Sequence, residues 1–412
     1  MRTLIVVSNF IPEIGSAAHL YFDLAQALIK KGHEVDVITS YPRGFNTCNG
    51  ELGDCPLHEV IGEIRIHRCD HRSKRDNMFL RGMEHFIIPW HYYRQYRKLD
   101  KKFDVCLIYI PPLPLYYLAS FIKRYDGTPS VLNFQDFHPQ ELIDVGVMKN
   151  RLAIKIMEHI EKRSYQNADH ITTISDGGIE YIKNKGCGHD RLTTIYNGTL
   201  LSALSRSSSN NDFKEREGIK EKVLISYAGI LSPFQGIDNI LDAAKLLGHE
   251  DGIQFYIIGD GISKSQLAAR IQQEAIENVR MLPLQPRDEY YNIINSSDIS
   301  LISLDGRMKA PCVPGKLANL LAAKKAIIAI VPASSETGRI IKRAGCGIVV
   351  EPGDTRGLEG AILRLINEPG LRSHLGEMGR VFLEQNMNME SCATQYENVF
   401  TDLIRQSSSR AH

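Results

Sequence analysis

Short apolar runs alternate with amphipathic ones along the whole chain, and the alternation stops once and begins again. Before residue 201 the pattern predicts strands at Thr3–Val7, Glu34–Thr39, Ile64–His67, Val105–Tyr109, Ser130–Phe134, His170–Ile174 and Leu192–Ile195. A helix at Ala17–Lys31 carries an apolar stripe of Leu20, Leu24, Ala27 and Leu28, and Gly32 caps it. Leu201–Asp212, rich in Ser and Asn, reads as a linker. Beyond it strands are expected at Val223–Ala228, Phe255–Ile258, Val279–Leu282, Ile299–Leu301, Ala326–Val331 and Gly347–Val350. Helices are expected at Ile237–Leu247 and Gln266–Gln273, from Leu371 onward, and near Ser391–Ile404. Such alternation builds parallel sheets flanked by helices. At 412 residues the chain exceeds one ordinary core, so two similar-sized α/β halves are expected, with a cleft between them.

Composition narrows the function. A net charge of +1 gives no support to a whole-molecule nucleic-acid role. The eight cysteines are scattered, without Cys-x-x-Cys pairs or zinc spacing, and read as reduced thiols of a cytosolic protein. The apolar run Leu4–Val7 is too short for a secretory leader, since Ser8-Asn9 and Pro12-Glu13 follow it. Val105–Ile122 carries no charge, yet Pro111, Pro112 and Pro114 make it a strand, a proline turn and a helix rather than a membrane span. Between Arg65 and Lys102, eleven Lys/Arg stand against four Asp/Glu. There Phe79, Phe86, Ile87, Ile88, Trp90, Tyr92, Tyr93 and Tyr96 are interspersed with Arg81, Arg94, Arg97, Lys98, Lys101 and Lys102. Cations with aromatics suit an anionic lipid surface. A core helix with a basic solvated face fits the same pattern.

The most informative stretch is Val313–Val331. Pro314-Gly315 breaks the chain, Leu317, Leu320 and Leu321 give helical spacing, and a buried strand follows. In a parallel sheet such a helix starts at the carboxyl edge of the strands, where ligands bind. Lys316 and Asn319 share one face near its positive end, a pairing suited to a phosphate-bearing ligand. Other phosphate devices are missing. Asn9–Ala18 has one glycine, Gly15, where a dinucleotide fingerprint needs three, and no P-loop occurs. No Asp-x-Asp metal clamp occurs either, so the diphosphate would be held by cations and helix ends without a metal cofactor.

Six motifs occur in order: Pro12-Glu13-Ile14-Gly15-Ser16-Ala17-Ala18 before a helix, Gln135-Asp136 with Pro139, Ile195-Tyr196-Asn197-Gly198, Tyr227-Ala228-Gly229 with Gln235-Gly236, Ile258-Gly259-Asp260-Gly261, and the Val313–Val331 stretch. Over nearly its full length the chain resembles the family-4 retaining glycosyltransferases of the GT-B fold. Within them it looks closest to the bacterial surface-polysaccharide subgroup that includes N-acetylfucosamine transferases. The resemblance implies two Rossmann-like domains with parallel sheets facing across a cleft. Residues 1–205, completed by a helix at 388–406, would receive the acceptor, and residues 210–387 would hold the nucleotide sugar.

By the same resemblance Gly15 and Ser16 belong to a loop facing the donor phosphate. Gly229, Gln235, Gly259 and Gly261 would line the nucleotide-sugar pocket, Leu284 and Arg287 would face the base, and Lys316 would neutralise the diphosphate. Ser335, Glu336, Thr337 and Arg339 would close over the sugar and phosphates. The chain departs from the family at Ile230 and Gln235, where Arg and Lys are common, at Asn319, where a ribose-binding Glu is usual, and at Pro311, where its paired Glu would fall. Asn and Gln hydrogen-bond without charge. Asp136 and His138 are the expected acceptor-side groups, Asp136 orienting or deprotonating the hydroxyl and His138 polarising it. Alternatively Asp136 is a helix N-cap before Pro139, and His138 a loop histidine bonded to backbone.

The implied activity moves a sugar, an N-acetylated hexosamine by resemblance, from UDP to an undecaprenyl-diphosphate-linked saccharide at the inner face of a bacterial membrane. No nucleic acid is involved, and the segment 65–102 would dock the protein on lipid. Two rivals share the architecture: a UDP-N-acetylglucosamine 2-epimerase, and a catalytically silent binding subunit.

Overall fold

The computed structural model describes residues 1–42, 55–70, 78–201 and 212–410. The expected linker falls almost wholly on 202–211, outside them, as do Cys48, Arg72, Lys74 and Arg75 and the side chains of Phe79 and Arg81. Residues 1–198 with 389–412 form one compact unit, and residues 199–388 a second.

The first unit is built on an eight-stranded sheet. Its strands are β1 (Arg2–Val6), β2 (Glu34–Ser40), β3 (His58–Ile61), β4 (Ile64–Cys69), β5 (Val105–Ile110), β6 (Ser130–Phe134), β7 (His170–Thr173) and β8 (Leu192–Thr194), in the order β3-β4-β2-β1-β5-β6-β7-β8. All pairs are parallel except β3–β4, a hairpin turning at Gly62 with φ 60°. Leu4, Ile5, Val6, Val105, Leu107 and Ile108 are fully buried, which is why these strands read as continuous apolar runs. His58-Glu59-Val60-Ile61 has no such run and sits half in water, so its pattern gives no strand signal.

Six helices follow the strands: α1 (Ser16–Lys30), α2 (Met78–Tyr96), α3 (Tyr116–Asp126), α4 (Gln140–Asp144), α5 (Arg151–Asn167) and α6 (Asp176–Asn184). Asn150 starts α5 by accepting from the Leu152 and Ala153 amides, each at 3.0 Å. The uncharged stretch after residue 105 is β5, a proline turn and α3. No helix among the described residues is long and apolar enough to cross a membrane.

The basic segment divides. Arg65 is taken up by Asp36 and Glu34, at 2.7 and 3.0 Å, and the Arg68 side chain is fully buried against Glu59 at 2.6 Å. Tyr92, Tyr96 and Ile88 enter the core, whereas Phe86, Ile87 and Trp90 stay exposed. Arg68 and the side chains of Tyr92, Tyr96 and Ile88 therefore belong to the interior, and the part-exposed Arg65 is committed to ion pairs, which corrects the reading of 65–102 as one docking surface. Spending β-strand cations on nearby carboxylates satisfies groups that burial would otherwise leave uncompensated.

The second unit has six parallel strands, β9 (Val223–Ala228), β10 (Ile253–Ile258), β11 (Val279–Leu282), β12 (Ile299–Ser303), β13 (Ala326–Ile330) and β14 (Gly347–Val350), ordered β11-β10-β9-β12-β13-β14. Its helices are α7 (Phe213–Arg216), α8 (Asp238–Leu246), α9 (Lys264–Gln273), α10 (Arg287–Ser296), α11 (Lys316–Ala322), α12 (Glu336–Ala344), α13 (Thr355–Asn367) and α14 (Pro369–Asn386). Ile225, Phe255, Ile257, Leu301, Ile328, Leu241 and Ile362 share one core between sheet and helices. The final helix α15 (Met389–Arg410) returns to the first unit and packs on α1. There a buried polar network holds it: Asn133 Nδ2 donates to Tyr396 Oη at 2.9 Å, and Tyr21 Oη donates to Asn133 Oδ1 at 2.6 Å. Gly198 lets α15 pass, since a Cβ there would lie 2.9 Å from the Met389 backbone.

Candidate active site

Strand order reverses direction at β9/β12 in the second unit, and ligands of parallel sheets bind at such switch points, beyond the carboxyl ends of the strands. Lys316 stands there. It is the first residue of α11, and its Nζ lies 3.7 Å from the centre of the Tyr227 ring at the end of β9. A Cβ on Gly229 would come within 2.7 Å of that nitrogen. The ammonium is buried and has no hydrogen-bond partner among the described residues. Burial lowers its pKa to about 7. The ring face offers partial compensation to a cation, and no lone pair.

Around it the expected residues take up distinct positions. Gln235 Oε1 accepts from Tyr227 Oη at 3.0 Å, so the uncharged Gln fixes the ring beneath Lys316. Gly259 and Gly261 are required by backbone contact: a Cβ would lie 1.9 Å from the Gly229 carbonyl oxygen and 2.2 Å from that of Leu231, respectively. Asn319 is turned to its own unit, accepting from Thr199 Oγ1 at 2.8 Å. Leu284 lies in the loop after β11, and Arg287 begins α10, its Nε donating to Tyr291 Oη at 2.8 Å.

Ser335 caps α12 by accepting from the Gly338 amide at 3.1 Å, and Thr337 Oγ1 donates to the Cys312 carbonyl at 2.7 Å, pinning the loop before Lys316. Glu336 is 5% exposed; its Oε2 has no hydrogen-bond partner among the described residues and lies 3.7 Å from the exposed Arg339 guanidinium. The strand ends thus bring Lys316, Gln235, Gly229, Gly259 and Gly261 to one edge, with Ser335 to Arg339 after the neighbouring β13.

The first unit switches direction between β1 and β5. Gly15 and Ser16 follow β1 and open α1; a Cβ on Gly15 would meet nothing within 4 Å. Asp136 and His138 follow β6, beside the same switch point. Asp136 does not cap α4, whose N-cap is Pro139 without a side-chain bond. Burial instead raises the Asp136 carboxyl to about 6. Glu141, which pattern reading passed over, sits in the same cluster. Its Oε1 accepts from the Phe137 amide at 2.8 Å and its Oε2 lies 3.8 Å from His138 Nε2. Burial and then the charge of Asp136 push the Glu141 pKa upward, while burial lowers His138 to about 4. His138 and Glu141 stand three apart in sequence, an i,i+3 spacing that sets them side by side and is the one signal that was present for Glu141. For Tyr227 the signal was its place two residues before the Gly229 break.

The matches to known proteins bear on this arrangement. Residues 15–198 match the glycosyl transferase 4-like domain, and residues 209–382 match the glycosyl transferases group 1 family. Sucrose-phosphate synthase from Thermosynechococcus elongatus superposes with a TM-score of 0.78 at 14% identity, covering 98% of this chain and 99% of that one. The chain is a glycosyltransferase of the GT-B fold. HepE of Anabaena, solved with UDP-glucose, superposes on this glycosyltransferase with a TM-score of 0.72 at 12% identity, over 98% of this chain and 100% of that one. In sequence it is 22% identical over 413 residues to the putative colanic acid biosynthesis glycosyl transferase WcaI of Escherichia coli K12, covering 97% of this chain and 99% of the relative.

Proposed function

We propose that this glycosyltransferase moves a sugar, with retention of anomeric configuration, from a UDP-sugar to a lipid-linked saccharide during assembly of a bacterial surface polysaccharide. The observation that carries the reading is the Lys316 ammonium, buried, unpartnered and stacked on Tyr227. A diphosphate placed against it would restore its charge. As the sugar–phosphate bond breaks, negative charge grows on the departing diphosphate, and a preorganised cation away from water stabilises it by about 3 kcal/mol. The Oε2 of Glu336 is a ready acceptor for a donor-sugar hydroxyl.

The acceptor oxygen bonds to the anomeric carbon, the bond from that carbon to the phosphate oxygen breaks, and UDP departs. The acceptor proton goes to the leaving phosphate from the same face. Asp136, titrating near 6, orients the hydroxyl or assists its deprotonation; His138 is neutral at pH 7 and polarises it. The HepE complex supports UDP as the carrier, and the colanic acid description of WcaI supports the polysaccharide setting. The motif resemblance favours an N-acetylated hexosamine, an undecaprenyl-diphosphate carrier, a peripheral position at the inner membrane face and transfer without a metal.

Calorimetry with UDP tests the donor half. Wild type is expected to bind, and UDP at about a hundred times its dissociation constant to stabilise the fold by about 2.7 kcal/mol. Absence of binding, or turnover abolished by chelator and restored by magnesium, would overturn the reading.

A further inference from the structure

We propose that Tyr227 is a positioning residue of the transfer reaction: its ring holds the Lys316 ammonium in place with the N–H donors left open to the diphosphate, and Gln235 locks that ring. The inference rests on the proposed function for the ligand, a nucleoside diphosphate, and on the following geometry for the device. Tyr227 is the last residue but one of β9 and is 1% exposed, and it belongs to the core that Leu231, Ile257 and Ile330 share. A ring built into a close-packed core is not free to swing away from what lies over it. Lys316 Nζ lies over its face, 3.7 Å from the centre. Gly229 leaves the room for that approach: a Cβ there would lie 2.7 Å from Lys316 Nζ, 3.2 Å from its Cε and 3.4 Å from Tyr227 Oη.

A buried ammonium needs a partner, and a carboxylate is the usual one. A carboxylate would also occupy the N–H donors and compete with an incoming phosphate. The face of an aromatic ring attracts a cation through its quadrupole and takes no hydrogen bond from it. Lys316 Nζ accordingly has no hydrogen-bond partner among the described residues, and burial, opposed by Cys312 in the loop before α11, lowers its pKa to about 7. The other end of the ring is tied down. Burial pushes the Tyr227 hydroxyl pKa up, so the group stays a donor, and it has two acceptors: Gln235 Oε1 at 3.0 Å and the Ile230 carbonyl at 3.2 Å. Drawing the hydroxyl proton toward an acceptor polarises the ring and strengthens its hold on a cation. This gives a reason for the residue at 235, where a Lys is common in the family. A Lys has no acceptor to offer the hydroxyl, and it would set a second cation beside the ring that already carries Lys316. A neutral amide fixes the ring without competing charge.

Spectra and kinetics of the full chain test this. With lysine side chains labelled with carbon-13, the ring current should move one Cε resonance upfield, and that resonance should vanish in Lys316→Met. It should persist in Tyr227→Phe, which keeps the ring, and return to the ordinary lysine position in Tyr227→Leu, which does not. In transfer assays Tyr227→Leu should lower kcat about thirtyfold, the worth of a desolvated contact between a cation and a ring, with a smaller change in KM for the UDP-sugar. Tyr227→Phe should recover that rate to within about threefold of wild type. In the Lys316→Met background, Tyr227→Leu should lower kcat by less than about threefold more, because no ammonium is left to hold. Gln235→Lys, a change at a part-buried site outside the core, should lower kcat about tenfold although it restores a cation common in the family. No upfield lysine resonance in wild type, equal losses from Tyr227→Leu in the two backgrounds, or an unchanged or raised rate in Gln235→Lys overturns the positioning role. UDP binding retained and Lys316→Met slow alongside such a result leaves the proposed function standing. UDP binding absent from wild type, with the upfield resonance intact, removes the proposed function and leaves the ammonium held by the ring.

Discussion

At the carboxyl edge of the second unit's sheet a cation is kept from water, and at the same edge of the first unit two carboxyls are. Lys316 lies over an aromatic ring with no acceptor, and burial brings it down to about 7. Asp136 is brought up to about 6 by burial, and Glu141 is pushed up beside it. Desolvation disfavours whichever form is charged, so it moves acids and bases in opposite directions toward neutrality. The comparison teaches a division of labour. One edge would regain a positive charge when an anion arrives, and the other holds carboxyls whose protonated form burial favours.

The strongest attempt to break that comparison is Lys316→Met. It should lower kcat about 10²–10³-fold, the range for losing one preorganised charge-stabilising group. The ligand-free protein should melt no lower, because a buried unpaired ammonium favours the unfolded state. A rate loss below tenfold would place the diphosphate elsewhere. Asp136→Asn should lower kcat about 10²-fold with UDP affinity unchanged. The wild-type rate should rise with pH through about 6, as Asp136 loses its proton, and the variant should lack that limb. If the limb persists in the variant, another group is responsible.

A smaller effect sharpens the cation side. Below about 7 Lys316 is already charged in the empty site; above it, binding a diphosphate must draw in a proton. UDP affinity should therefore fall as pH rises above 7, by at most about tenfold per pH unit, with proton uptake visible by calorimetry in two buffers of different ionisation heat. The smallest effect is on stability. Gly15 has φ 177°, open to any residue, and space around its missing Cβ, so Gly15→Ala should change stability by less than about 0.5 kcal/mol. A fall in transfer rate in that variant would then report a ligand near Gly15; an unchanged rate would remove Gly15 from the donor loop.

Much of the fold was legible because both sheets are buried on two faces. Strands such as Ala326–Ile330 and Val223–Ala228 then have to be apolar without interruption, and their position along the chain shows. Legibility failed where burial is one-sided or polar. The hairpin strand β3 faces water, and α5 has Ile160, Ser164 and Tyr165 buried beside Glu161, whose oxygens accept from the Tyr165 hydroxyl at 3.0 Å, the Tyr181 hydroxyl at 2.9 Å and the Lys185 ammonium at 3.0 Å. A buried carboxylate satisfied by residues from two helices leaves no apolar stripe to read. In the candidate site, Lys316 stood out by its place after Pro314-Gly315, but Tyr227 and Glu141 did not, since Tyr227 meets Lys316 from far along the chain and the burial of Glu141 follows only from packing.

The sequence by itself determined the class of this protein. Period, breaks and motif order fix two α/β units and the loops that carry polar residues, because those follow from local backbone preference and continuous burial. Only the tertiary structure decided which polar groups are stranded without partners, which cations of the basic segment are spent inside, and which apolar side chains are left at a surface. Those outcomes depend on desolvation and on contacts between residues far apart in the chain, and no local pattern encodes them.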